Sequence, residues 1–147
     1  MSAPPTAPRL VAETPKDLLA ISARWQDALL RVGDMAWRKA ERQFVLAGMR
    51  VCREETQSRR WRGLARVRSI LHVRGVLQVQ QKLIDRDAQR LLSLLALVWE
   101  GGRAPGGHLR IIFSGGAELR LELEALDVAM HDQGAPWRGG RQPRHPA

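Results

Sequence analysis

The stretch His108-Leu-Arg-Ile-Ile-Phe-Ser-Gly-Gly-Ala-Glu-Leu-Arg-Leu-Glu-Leu-Glu124 decides how the rest of the chain is read. Leu109, Ile111 and Phe113 alternate with other residues before Gly115-Gly116, and Leu119, Leu121 and Leu123 alternate after them. Period-two alternation on both sides of a Gly-Gly pair predicts a β-hairpin with one face on a core. The stretch specifies a piece of fold and names no chemistry.

Working outward, the parity of the apolar positions slips by one. Leu126, Val128 and Met130 fall on even numbers. Such a slip near Glu124-Ala125 fits a β-bulge, and a change to helix fits it equally. Upstream, residues 101–107 hold four glycines and one proline and read as a turn. Residues 91–99 are an apolar run interrupted by Ser93, either a buried strand or a short helix. Residues 64–81 are rich in Val and Leu with Gly75 in the middle, as two strands and a turn would be. A helical reading of 64–74 survives, with Leu64, Val67 and Leu71 on one stripe. Met35 and Trp37, a polar turn over 38–42, then Phe44, Leu46 and a run to Cys52 predict a second hairpin. Residues 54–60 read as a polar loop.

Near the start, Thr14 is an N-cap candidate, Pro15 stands at the first helical position and Asp17 follows three residues after the cap. Leu18, Ile21, Trp25, Ala28 and Leu29 then make an apolar stripe at helical spacing. Residues 9–13 form a short first strand. The expectation is a single α+β domain over 9–137. One N-terminal amphipathic helix packs on a mostly antiparallel sheet of about seven strands, between flexible tails at 1–8 and 138–147.

The 147 residues carry a net charge of +9 with 44% apolar content, enough for one core. The only lysines are Lys16, Lys39 and Lys82, so the positive charge is nearly all Arg. A GC-rich genome produces that bias, and so does a phosphate-bearing partner. Cys52 is the single cysteine, which excludes an intramolecular disulfide and fits a reducing cytoplasm. The start has no secretory pattern and no run approaches a membrane span, so a cytoplasmic location without membrane contact is expected.

Catalytic and metal signals are thin. His72, His108, His131 and His145 are scattered without ligand spacing, so no metal is expected. Cys52 follows Val51 at the end of an apolar run and reads as a small hydrophobe, although Arg50 and Arg53 are close in sequence. The glycines around Arg103-Ala-Pro105 lack the helix and lysine of a phosphate loop, and no cofactor is expected. Asp34, Arg68, Ser69 and His72 make the best polar constellation. On a strand Arg68 and His72 share a face suited to an anion, while Ser69 takes the other face. That geometry argues against Ser69 and His72 acting as nucleophile and base.

The strongest functional hint is the basic stretch. If residues 60–74 are extended, Arg60, Arg62, Arg66, Arg68, His72 and Arg74 share one face, and Trp61, Ala65, Val67, Leu71 and Val73 share the other. A solvated sheet face explains this, and so does a phosphate-tracking surface for RNA or DNA. Trp61 is the only aromatic in the stretch, which disfavours base-specific readout.

Several segments together resemble one bacterial family: Arg66-Val-Arg-Ser-Ile-Leu-His72, Val76-Leu-Gln-Val79, Leu91-Leu-Ser-Leu-Leu-Ala96, Pro105-Gly-Gly107, Phe113-Ser-Gly-Gly116 and Leu119-Arg-Leu-Glu122. Asp17-Leu18, Ile21-Ser22, Gln26-Asp27-Ala28, Gly33-Asp34 and Gly134-Ala-Pro-Trp137 add to the likeness. The family is domain-of-unknown-function family 2948, of uncharacterised alphaproteobacterial proteins. The resemblance implies one cytoplasmic domain with no assigned activity. The chain departs from the family around residues 47–53 and in its higher basicity. The residues favour a non-catalytic binding or assembly module with an unidentified protein partner. The alternative is an RNA- or ribosome-associated protein using the Arg-rich face and the 138–144 tail. The third reading is an enzyme with an Arg/His anion site at Arg68 and His72. Oligomeric state is not written in the sequence.

Overall fold

The structure, a computed structural model, describes residues 9–52 and 65–138. Its elements run in the order β1 (Arg9–Ala12), α1 (Pro15–Trp25), β2 (Leu29–Arg31), β3 (Met35–Arg38), β4 (Gln43–Val51), β5 (Ala65–Arg74), β6 (Val76–Lys82), β7 (Leu91–Gly101), β8 (Gly107–Phe113), β9 (Glu118–Leu123) and β10 (Val128–Arg138). Short 3-10 turns at Val32–Asp34, Lys39–Glu41 and Ser114–Gly116 join neighbours.

The α+β expectation of about seven strands is corrected. The described residues form ten antiparallel strands and one helix of 11 residues, a β protein with a helical cover. Two strands were concealed for physical reasons. β2 is only three residues long, too short to show alternation, and its Leu29 mimics a continuing helical stripe. β10 extends past Met130 through Asp132, Gln133, Gly134 and Pro136, residue types that read as a loop. Residues 64–74 and 91–99, open between strand and helix, are strands where described.

The hairpin read from residues 108–124 is β8–β9. Ile112 stands opposite Glu118, and Gly115 and Gly116 take left-handed φ values of 76° and 83° that favour glycine. All six alternating residues, Leu109, Ile111, Phe113, Leu119, Leu121 and Leu123, are buried. The β3–β4 hairpin also forms, with Met35 opposite Leu46 and Arg38 opposite Gln43.

Strand order is β1-β10-β5-β4-β2-β7-β8-β9-β6, with β3 also paired to β4. β5 and β6 are consecutive yet lie far apart in this order, because the chain bends sharply at Gly75, φ +70°. β10 pairs with β5 and β9 pairs with β6, so the four strands make one long ribbon folded at a corner. Hydrogen bonds stitch the corner: Glu124 N to Gly75 O at 2.9 Å and Arg74 N to Asp127 O at 3.0 Å. The parity slip after Leu123 is this corner. Residues 124–127 span the fold on one strand where Arg74 and Gly75 span it on the other. The sheet therefore wraps from one half of the ribbon round to the other. One core lies inside it, joining Leu71 and Val73 of β5, Val76 of β6, Leu94 and Leu97 of β7, and the hairpin residues.

Thr14 Oγ1 accepts from Asp17 N at 3.1 Å and Pro15 opens α1, as read from the sequence. The helix buries Leu18, Ile21 and Trp25 and packs against β7 and β1. Ser22 Oγ accepts from Leu97 N at 3.0 Å, next to the register shift after Leu94. The apolar stripe is longer than the helix, which stops at Trp25. Asp27 turns left-handed at φ +69°, and Ala28 and Leu29 belong to the entry into the sheet. Gly48 of β4 is needed beneath: a Cβ there would stand 3.3 Å from Trp25 Cζ3 and 3.1 Å from Leu29 O.

Candidate anion-binding site

β5 sorts its side chains by parity. Ala65, Val67, Ser69, Leu71 and Val73 are buried, whereas Arg66, Arg68, Ile70, His72 and Arg74 point to the other side and keep some exposure. The strand thus carries a half-exposed cationic face over an apolar one. Ile70 is the one hydrocarbon side chain on that side of β5.

The neighbouring strands decide what surrounds each residue, because directly paired residues share a face. Arg74 lies opposite Gln43, which lies opposite Arg38 of β3. His72 lies between Val45 and Ala129, with Ala36 and Val11 beyond. Ile70 lies between Ala47 and His131, and His131 is opposite Arg9 of β1. Two cationic rows therefore flank a row of small side chains holding His72. Each row is two residues from the next, about 7 Å at the usual strand rise. A cleft of about 340 Å³ opens here, lined by Arg9, Gln43, His72, Arg74 and His131 among others.

The electrostatics agree with the register. Burial pushes the His72 imidazole below its ordinary value of 6.5, and the charges of His131, Arg74, Arg38 and Arg9 push the same way. Asp127 Oδ1 stands 3.8 Å from Arg74 Nε. It is the one carboxylate paired with Arg9, Arg38, Arg68 or Arg74 among the described residues.

The residues singled out in the sequence are dispersed. His72 and Arg74 line the cleft. Arg68 is exposed on the same face, one row beyond His131, between Met49 and Gln133. Arg66 turns across β4, and its Nη1 donates to Met49 O at 3.1 Å and Asp27 O at 3.2 Å. Arg60 and Arg62 lie outside the described residues. Arg9, Arg38 and His131 were missed. Each comes from another strand, and nothing local in the sequence marks them as neighbours of His72.

The other constellations come apart or turn inward. Asp34 sits in the exposed turn before β3, without a hydrogen bond to Arg68, Ser69 or His72. Ser69 is fully buried, and its hydroxyl donates to His131 O at 3.3 Å. Cys52 is buried with Ala65 and Val67. No metal-ligating group of three or more is found among the described residues. The inner face beneath this region carries its own charge. Arg50 Nε and Nη2 donate to Asp132 Oδ1 and Oδ2 at 2.8 and 2.6 Å, with both side chains buried.

Fold and site together define an antiparallel β protein with a helical cover and a cationic outer face. A family model described as "Protein of unknown function (DUF2948)" matches residues 9–145, and the chain belongs to that family. Neither the curated proteins nor the solved structures include a match to it. No helix among the described residues is long and apolar enough to cross a membrane.

Proposed function

We propose that this protein is a non-catalytic binding module of the cytoplasm that takes an anionic partner on the outer face of β1, β10, β5, β4 and β3. The observation carrying this reading is the convergence of Arg9, Arg38, His72, Arg74 and His131 with, among the described residues, a single paired carboxylate, Asp127. A catalytic role is disfavoured because Ser69, the hydroxyl nearest His72 along β5, is turned inward and committed to a backbone carbonyl. Arg68 extends the cationic face along β5 and is the observation favouring the RNA-associated alternative.

The test is retention on an immobilised polyanion, heparin and mixed-sequence RNA in parallel, at about 150 mM salt, where long-range attraction is screened. Replacing Arg9, Arg38 and Arg74 together by Gln should abolish retention. Replacing Arg86, Arg103 and Arg120 removes equal charge elsewhere and should leave it. Equal loss in both triple variants would mean that net charge alone binds polyanions, and the site reading fails. RNA retained far better than heparin would favour the RNA-associated alternative.

A further inference from the structure

We infer that the His72 cleft is a diphosphate site, receiving one phosphoryl group from each of its two cationic rows. This rests on the anion-binding reading above and names its ligand. One row presents Arg38 and Arg74 with Gln43 between them, and the other presents Arg9 and His131. The row between them is low: Ala36, Val45 and Ala129 flank His72, so space remains above the imidazole. The two rows stand four residues apart along β5 with His72 midway, so an anion of two phosphoryl groups joined through a bridging oxygen spans more of the gap than a single group does.

Guanidinium groups suit this ligand because their planar fork pairs two N–H groups with two phosphoryl oxygens. Arg9 and Arg74 line the cleft, Arg38 stands further along the row of Arg74, and Asp127 offsets Arg74 only in part from 3.8 Å, so the site matches a multiply charged anion better than a singly charged one. Val11, Ala36, Val45, Ala47, Ile70 and Ala129 complete the three rows around the cleft, and none of them carries a charge. Free pyrophosphate and a nucleoside diphosphate share the recognised chemistry and should bind alike.

The experiment is isothermal titration of the full chain with inorganic pyrophosphate, orthophosphate and ADP at about 150 mM salt. Pyrophosphate should saturate one site. Orthophosphate should bind at least about tenfold more weakly, since it engages one row. ADP should fall within about threefold of pyrophosphate. Arg38→Gln and Arg9→Gln, one from each row, should each weaken pyrophosphate binding by about tenfold, whereas Arg120→Gln should leave it unchanged. These are exposed side chains, and circular dichroism checks that each variant is folded. Orthophosphate and pyrophosphate binding equally would overturn the two-row assignment. ADP binding far more tightly than pyrophosphate would overturn it too, by requiring a base pocket. No pyrophosphate binding in a protein that still retains heparin through Arg9, Arg38 and Arg74 would overturn the diphosphate inference and leave the anion-binding reading standing. Loss of both would remove both.

Discussion

His72 and His108 both stand on the outer face of a central strand, and their surroundings are opposite. His108 of β8 lies directly between Glu100 of β7 and Glu122 of β9. Two residues along, Arg110 donates to Glu118 through Nε at 3.0 Å and Nη2 at 2.7 Å, with Glu100 3.2 Å from Nε. His72 of β5 instead lies between Val45 and Ala129, with arginines in the rows on either side. Each region carries arginines and a histidine. In one the charges are matched across the strands, and in the other they accumulate. The excess of arginine over the whole chain therefore locates nothing, whereas the pairing of strands does. The inner faces differ as well. Beneath Arg110 lie Ile111, Phe113 and Leu121, while beneath Arg68 lies the buried Arg50–Asp132 pair.

That contrast is testable from its largest effects downward. Phe113→Ala removes a core aromatic that is 1% exposed and should cost about 3–5 kcal/mol in chemical denaturation. Asp132→Ala should cost a similar amount, about 3–5 kcal/mol, for a different reason: it removes the carboxylate that accepts from both Nε and Nη2 of the buried Arg50 guanidinium. The double replacement Arg50→Met with Asp132→Leu should recover most of that loss, because no orphaned charge remains. Recovery failing in the double variant would show that the pair does more than balance charge. A Phe113→Ala cost below about 1 kcal/mol would show that the hairpin face is not core.

The next effect separates the outer faces by pH. His72 titrates below 6.5 in the folded protein, so the unfolded chain takes up a proton that the folded chain refuses. Stability should fall as pH drops through about 6.5 and level off below the folded pKa of His72. His72→Gln should remove that part of the slope, measured as the change in denaturation midpoint between about pH 7.5 and pH 5.5. The groups acting on His72 are His131 of β10, Arg74 of β5, Arg38 of β3 and Arg9 of β1, all of which oppose its protonation. Identical slopes in wild type and variant would break the contrast on this side.

The smallest effect belongs to the matched face. The hydrogen bond from Arg110 holds the Glu118 carboxyl below its ordinary value of 4.5, with the Arg110, Lys82 and Arg120 charges acting the same way against burial. Its contribution is present above about pH 4.5 and is lost as pH falls through the lower folded pKa. Glu118→Gln should therefore cost a small, nearly constant amount of stability near neutrality, and the difference from wild type should vanish as pH falls through the acid limb. A Glu118→Gln effect centred near pH 6.5 would erase the distinction between the faces.

How much was legible follows from how local each signal was. The Gly115-Gly116 hairpin, the β3–β4 hairpin and the Thr14 cap are each specified by residues within one turn of one another, and all three form. The alternation within β5 was also legible, since parity along a strand needs no partner. The end of α1 was not, because Ala28 and Leu29 keep helical spacing while Asp27 turns the backbone away.

The sequence by itself determined these local pieces, the apolar face of the hairpin and the alternation that makes one side of β5 cationic. Only the tertiary structure decided that Arg9 and His131 meet through β1–β10, that Arg38 reaches the same face through β4, and that Arg66 is diverted to backbone carbonyls. The reason is physical. Strand periodicity is a property of a few consecutive residues, whereas the neighbours of a side chain across a sheet depend on which distant strands pair and in what register. Here a ribbon folded at Gly75 and residues 124–127 sets those pairings, and His72 and His108 acquire opposite environments as a result.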